Sequence, residues 1–153
     1  MSLWITHAER TNSEEIPAAP DTVRDFYVDL DNIKEFHPLV VSVQLLLRSQ
    51  IDDGYQQSYR VRDRIPLGLL SMPISYWAQV QVPADGDVIT EARQFPRVRL
   101  TGVVSFQPTA VGTRLTERLT IAAPRLHATM TQRVAVDAHV AMLAGIRDYF
   151  EGR

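Results

Sequence analysis

The sequence predicts an α+β domain in which one antiparallel sheet is covered on a single side by helices. Three observations carry that expectation. From Val40 to Ile121 apolar residues recur with period two, broken by turn signals at hairpin length. Helical spacing flanks this run on both sides. Only the last helical stretch, 126–150, is long, and it contains no Pro and a single Gly. The order strand, two short helices, six strands, helix then leaves one layered arrangement.

Taken in order, residues 3–14 read as a strand that turns polar towards its end. Ala18-Ala19-Pro20-Asp21 opens a helix, with Pro in its first turn and Asp against the N-terminal dipole. Val23, Phe26, Tyr27 and Leu30 keep helical spacing to Leu30. Asp31-Asn32 interrupts and caps a second short helix, 33–36, which Pro38 stops. A strand begins at Val40; Asp52-Asp53-Gly54 turns into 55–65, Leu67-Gly68 into 70–82, and Ala84-Asp85-Gly86-Asp87 into 88–95. Pro96 breaks the chain before 97–106, Val111-Gly112 turns into 113–121, and Pro124 ends the sheet.

Alternation assigns the faces. Leu70, Met72, Ile74, Tyr76, Ala78, Val80 and Val82 point inward, as do Val98, Leu100, Gly102, Val104 and Phe106. The strand 55–65 turns Tyr55, Gln57, Tyr59, Val61, Asp63 and Ile65 inward and leaves Arg60, Arg62 and Arg64 outside. Thr113, Leu115, Glu117, Leu119 and Ile121 form the inner row of the last strand. Neither face of 88–95 is clean. Asp63 and Glu117 break the apolar rule, so each sits at a solvated rim or has a partner, water or a wet cavity. Gln57, Tyr55, Tyr59, Tyr76 and His139 are the available donors.

On the last helix Ala135, Val136, Met142, Leu143, Ile146 and Phe150 share one side with His139 near its centre. Arg133, Asp137, Asp148 and Glu151 take the other. His139 is therefore either a core histidine satisfied by one hydrogen bond or the lining of a cavity under the helix.

Composition narrows the function classes. The 153 residues suit one domain, 1–153, with a full core; 45% are hydrophobic and 22% charged. A formal net charge of -2 provides no overall basic field for nucleic acid. There is no Cys, which removes disulfides and thiolate catalysis. MSLWITHAER has neither a basic n-region nor an apolar h-region, and no run approaches the roughly 20 residues of a membrane span. A cytoplasmic location is the expectation, and the near-absence of Lys beside abundant Arg suits a GC-rich bacterial genome. His7, His37, His127 and His139 have no partners at metal-ligand spacing, and no phosphate loop or nucleophile elbow occurs, so neither metal nor cofactor is expected. Arg60, Arg62 and Arg64 form a stripe that is solvated, paired with acids across the sheet, or offered to an anionic partner. The apolar hairpin Ile65-Pro-Leu-Gly-Leu-Leu-Ser-Met-Pro73 is a gate over a pocket, a homodimer contact, or a tip folded back on the core.

The segment from Ile16 to Val40, IPAAPDTVRDFYVDLDNIKEFHPLV, resembles the start of the helix-grip superfamily, which includes START domains, Bet v 1-like proteins and polyketide cyclase/dehydrases of the SRPBCC type. The shared features are Ala-Pro before a Val-aromatic helix, an Asp-Leu step, and an aromatic residue shortly before Pro. Two departures stand out: Arg24 where many relatives carry Trp, and Phe36 where Trp often precedes the x-Pro step. Both suggest an altered cavity entrance. The resemblance implies a seven-stranded antiparallel sheet curled around the C-terminal helix, with a deep hydrophobic pocket between them. It also implies a small hydrophobic ligand (lipid, polyketide or isoprenoid-like) held by a carrier or sensor, or else a cyclase, aromatase or dehydratase. Candidate pocket residues are Phe26, Phe36, Tyr59, Met72, Tyr76, Val104, Phe106, His139, Met142 and Ile146. For acid–base chemistry the candidates are His139 with Glu117 or Asp63 as its orienting carboxylate, and Tyr59 or Tyr76 as a donor to a carbonyl oxygen.

Overall fold

The structure, a computed structural model, describes residues 4–94 and 97–152, and of Leu67 the backbone alone. Strands β1 (Ile5–Ile16), β2 (Val40–Ile51), β3 (Gly54–Leu67), β4 (Leu70–Pro83), β5 (Val88–Gln94), β6 (Val98–Thr109) and β7 (Gly112–Pro124) form one antiparallel sheet. Their spatial order is β1-β7-β6-β5-β4-β3-β2, so only the first strand crosses over to pair with the last. Helices α1 (Pro20–Tyr27) and α2 (Leu30–Ile33) follow β1, and a 3-10 turn (Arg125–His127) leads into α3 (Ala128–Glu151). The sheet curls around α3, as the helix-grip resemblance implied.

Boundaries moved where local chemistry outweighed periodicity. The first strand was expected to end at 14 but runs to Ile16, which is fully buried. Its expected start at Leu3 lies outside the described residues, as do Phe95 and Pro96. Helix α1 stops at Tyr27 rather than Leu30, because Asp29 adopts an extended conformation and caps α2, accepting the Asp31 backbone N–H at 3.0 Å. The capping residue is thus Asp29 and not Asp31, and α2 lies three residues earlier than expected. Strand β7 continues past 121 to Pro124, and the long helix begins at Ala128.

The inner faces follow the alternation, except at the β3–β4 hairpin tip, where Leu70, expected inward, is 77% exposed because the sheet extends there beyond the helix layer. On β7 Thr113, Leu115, Glu117, Leu119, Ile121 and Ala123 are all buried. The register settles β5: Val88, Thr90, Ala92 and Gln94 oppose Val104, Gly102, Leu100 and Val98 and share their inward face. A Cβ on Gly102 would stand 2.5 Å from Thr90 Oγ1, so glycine lets Thr90 lie across β6. Ile16, Val23, Val88, Leu115, Leu143 and Ile146 close the core between α1, α3 and the sheet, each fully buried side chain of this size contributing about 1.5–3 kcal/mol.

Arg24 and Phe36, expected to reshape an entrance, do other work. Arg24 donates through its guanidinium to the Pro83 carbonyl oxygen, and at 3.4 Å to that of Ala84, tying α1 to the β4–β5 turn. Phe36 packs over Gly145, where an added Cβ would meet the ring at 3.0 Å.

Candidate functional site

Beneath the first half of α3 lies a cavity of about 450 Å³. Its roof comes from Met130, Thr131, Val134, Ala135 and His139 of α3. Ile65, Met72, Ile74, Ala92, Val98 and Leu100 supply much of the sheet wall. The side chains of α3 here are short or spaced apart, and the curvature of the sheet leaves a gap they do not fill. A second cavity of about 100 Å³ lies under α1 and α2. His37, Tyr76, Ala92, Leu100 and His139 line both and so form the boundary between them.

That boundary is polar. Glu117, on the inner row of β7, is 0% exposed and accepts a short hydrogen bond from the Tyr27 hydroxyl through Oε2. His139 Nδ1 lies 3.1 Å and 3.2 Å from Oε1 and Oε2 of the same carboxylate. Its own side chain is 16% exposed. Because Nδ1 faces the carboxylate, Nε2 is the ring nitrogen left for a ligand. Burial alone would lower the His139 pKa; the Glu117 charge and hydrogen bond, with Asp63 adding, outweigh it and hold the pKa above its ordinary value.

Asp63, 6% exposed, lines the larger cavity. Burial pushes its pKa up to about 6, against a hydrogen bond from Tyr76 and the nearby His139, which both favour the charged form. Its Oδ1 has no hydrogen-bond partner among the described residues. Both carboxylates are therefore inside the fold, and neither is a solvated rim residue. His37 completes the group: its ring stands edge-on to His139 at 5.4 Å, and its Nδ1 accepts the Leu39 N–H at 3.3 Å. Burial, then the His139 charge, lowers its pKa to about 3, so His37 is neutral.

Of the residues expected to line a pocket, Met72, Tyr76 and His139 line the larger cavity, and Tyr76, His139 and Met142 line the smaller. Phe26, Phe36, Tyr59, Val104, Phe106 and Ile146 line neither. Phe26 and Phe36 join Tyr149 and Phe150 in an aromatic cluster at the far end of α3. Phe106 packs edge-on against Tyr27, and the Tyr59 hydroxyl donates to Gln57 at 2.7 Å. Val104 and Ile146 are core. Two site residues, Tyr27 and His37, went unassigned in the sequence. The Tyr27 signal was present, since a phenol on an apolar helix face needs a buried acceptor; no spacing rule pointed to His37. Among the described residues no group of three or more His, Cys, Asp or Glu could hold a metal ion.

Solved structures share this architecture from end to end. A START superfamily protein from Mycobacterium smegmatis superposes with a TM-score of 0.72 at 16% identity, covering 95% of this chain and 97% of that one. The fold is the helix-grip fold. The di-domain aromatase/cyclase StfQ of the steffimycin biosynthetic pathway gives a TM-score of 0.73 at 17% identity; 98% of this chain is covered but only 52% of that one, so this helix-grip chain spans about half of the di-domain protein. A STAR-related lipid transfer protein from Xanthomonas axonopodis gives 0.63 at 18% identity, over 94% and 85% of the two chains. No family model matches the sequence, and no curated protein matches it.

Proposed function

We propose that this protein binds a small hydrophobic molecule, of lipid, polyketide or isoprenoid-like character, as a carrier or sensor. The observation that carries the reading is the largely apolar cavity of about 450 Å³, with His37, Asp63, Tyr76 and His139 grouped at its inner end. Ligand sites of a few hundred Å³ generally combine apolar walls with a few placed polar atoms. The apolar body of the ligand lies along Ile65, Ile74, Leu100 and Val134, and an oxygen accepts from His139 Nε2. Asp63 and Tyr76 stand beside that oxygen and select a hydroxyl- or carbonyl-bearing end over a plain hydrocarbon.

Native mass spectrometry of protein purified from its own host tests this directly, the expected result being a co-purified molecule of a few hundred daltons. An apolar fluorescent dye should compete with it, and His139→Phe should weaken binding of an oxygenated ligand by about 1–3 kcal/mol, because a buried oxygen loses its donor. Dye binding left intact when Ala135→Trp blocks the cavity would refute the location.

A second reading is favoured by one feature, the Tyr27–Glu117–His139 chain. A buried carboxylate that orients an imidazole and raises its pKa is the arrangement general acid–base catalysis uses. On that reading the protein is a cyclase, aromatase or dehydratase acting on a ketide-like substrate. His139→Phe would then leave binding intact and reduce turnover by roughly 10²–10⁴-fold.

A further inference from the structure

Gln94, Val98, Pro124, His127 and Met130 carry the cavity lining to the end of the molecule where the β3–β4 hairpin, the end of β5, the start of β6 and the 3-10 turn before α3 converge. Large apolar side chains project there into solvent. Leu69 and Leu126 are 105% and 92% exposed, and Leu70 and Met130 are also exposed. Trp4, likewise exposed, directly precedes the Ile5–Pro124 pair and so stands at the same end. The hairpin is not folded back on the core, since Ile65 pairs with Met72 and residue 67 with Leu70 out to the tip. Solvent-exposed leucines on separate loops at one mouth need an apolar environment to explain them.

Arginine predominates among the exposed charges at this end, with Asp137 one helical turn beyond Arg133. Arg64, Arg97, Arg125 and Arg133 are exposed, and among the described residues none is in an ion pair. The expected cross-strand acids are missing: Arg62 lies between Ser42 and Ser75, and Arg64 opposes Pro73 while donating to Ser71 Oγ at 3.0 Å. The other neighbouring carboxylates are spoken for or inward. Asp63 is buried, and Glu91 is held by Arg93 and Arg99. At the opposite end the turns carry Asp52, Asp53, Asp85 and Asp87. The net charge of -2 therefore conceals a molecule that is basic at its mouth and acidic at its base.

We propose that the rim formed by Trp4, Leu69, Leu70, Leu126 and Met130, with its surrounding arginines, docks on the surface of an anionic lipid bilayer with the cavity facing the lipid. Side chains on loop tips insert at the depth of the headgroup boundary, where tryptophan is also favoured, and arginines meet the phosphates. No helix among the described residues is long and apolar enough to cross a membrane, so the attachment is peripheral. The proposal does not depend on what the cavity holds: Met130 also borders the cavity, but Trp4, Leu69, Leu70, Leu126 and the arginines act from outside it.

The test is co-sedimentation with vesicles of phosphatidylcholine alone and with about one third phosphatidylglycerol. Binding should require the anionic lipid and fall steeply between 50 and 500 mM NaCl, salt screening exposed charges over about 10 Å or less. Arg64→Glu/Arg97→Glu/Arg125→Glu should reduce it by about a hundredfold, each arginine beside an anionic leaflet being worth roughly fivefold. Leu69→Asp/Leu126→Asp should reduce it at least tenfold, with unchanged circular dichroism. Should a variant fold poorly, quenching by brominated lipid in Trp77→Phe protein reports on Trp4 alone. Ala135→Trp should leave vesicle binding intact, which separates failure of this proposal from failure of the ligand reading. Equal binding to neutral and anionic vesicles, no quenching of Trp4, or capture of an acidic protein by the same arginines while vesicles are ignored would each overturn it.

Discussion

The two halves of α3 share one periodicity and one sheet yet meet opposite surroundings. In the second half, Met142, Leu143 and Ile146 are buried at 2% exposure or less, and Phe26, Phe36, Tyr149 and Phe150 close over the end. In the first half Thr131, Val134, Ala135 and His139 look into open space. What differs is the material delivered to each half. Helix α1 brings Phe26, and the turn after α2 brings Phe36, to the second half, whereas in the first the His37 ring reaches only His139 at its inner edge. A cavity here is the result of a missing layer, and its polar end lies where the two halves join, at Glu117 and His139.

The sharpest way to break that comparison is to truncate one residue in each half. Ile146→Ala should cost about 2–5 kcal/mol, because the closed half cannot collapse around the hole. The melting temperature should drop by roughly 5–15 °C. Val134→Ala, on the open side, should cost well under half of that, since the methyl groups removed already border empty space. Equal losses measured by chemical denaturation would mean that the first half is packed as tightly as the second.

Asp63 gives the next largest effect and fixes a pH window. Its folded pKa of about 6 lies above the model-peptide value of 3.8, so the folded state binds a proton more tightly than the unfolded chain. Stability from that proton is complete below pH 4 and lost as pH rises to about 6. Asp63→Asn should therefore stabilise the protein at pH 7.5 by on the order of 2–3 kcal/mol and change little at pH 4. His139 has the same sign for a different reason: its raised pKa means that the ion pair with Glu117 stabilises fully below about pH 6.5 and fades as pH rises through the folded value. Glu117→Gln should move the His139 NMR titration to lower pH. An unmoved titration would mean that the carboxylate does not set the imidazole charge.

These residues also mark how far the sequence could be read. Strand alternation located Glu117 and Asp63 on the inner face, because a period of two leaves no choice once Leu115, Leu119 and Ile121 are placed. Helical periodicity likewise brought His139 to the sheet. It did not separate Ile146 from His139 as core and cavity, since both lie on one apolar stripe. That distinction depends on the layer opposite, and Phe26 and Phe36 reach α3 only through the α1–α2 turn set by Asp29. Periodicity gives a direction and carries no information about the volume a residue will meet. The Tyr27–Glu117 bond, across 90 positions, was out of reach of any spacing rule.

The smallest effect comes from helix propensity, and it too should differ between the halves. Replacing Gly by Ala in an exposed helix interior typically gains about 1 kcal/mol. At Gly145 the new Cβ would meet Phe36 at 3.0 Å from the ring (Cδ1) and 3.1 Å from its Cβ, closer than carbon atoms ordinarily pack, and Phe26 and Tyr149 back that ring on its other sides. The gain should therefore be cancelled or reversed, leaving Gly145→Ala no more stable than the parent and as much as about 2 kcal/mol below it. Thr131→Ala, on the cavity roof, meets no such ring and should show its propensity gain, about 0.5 kcal/mol, by chemical denaturation. If Gly145→Ala instead stabilised by its full propensity value, the Phe36 ring would have room to retreat, and the contrast between a closed and an open half of α3 would lose its physical basis.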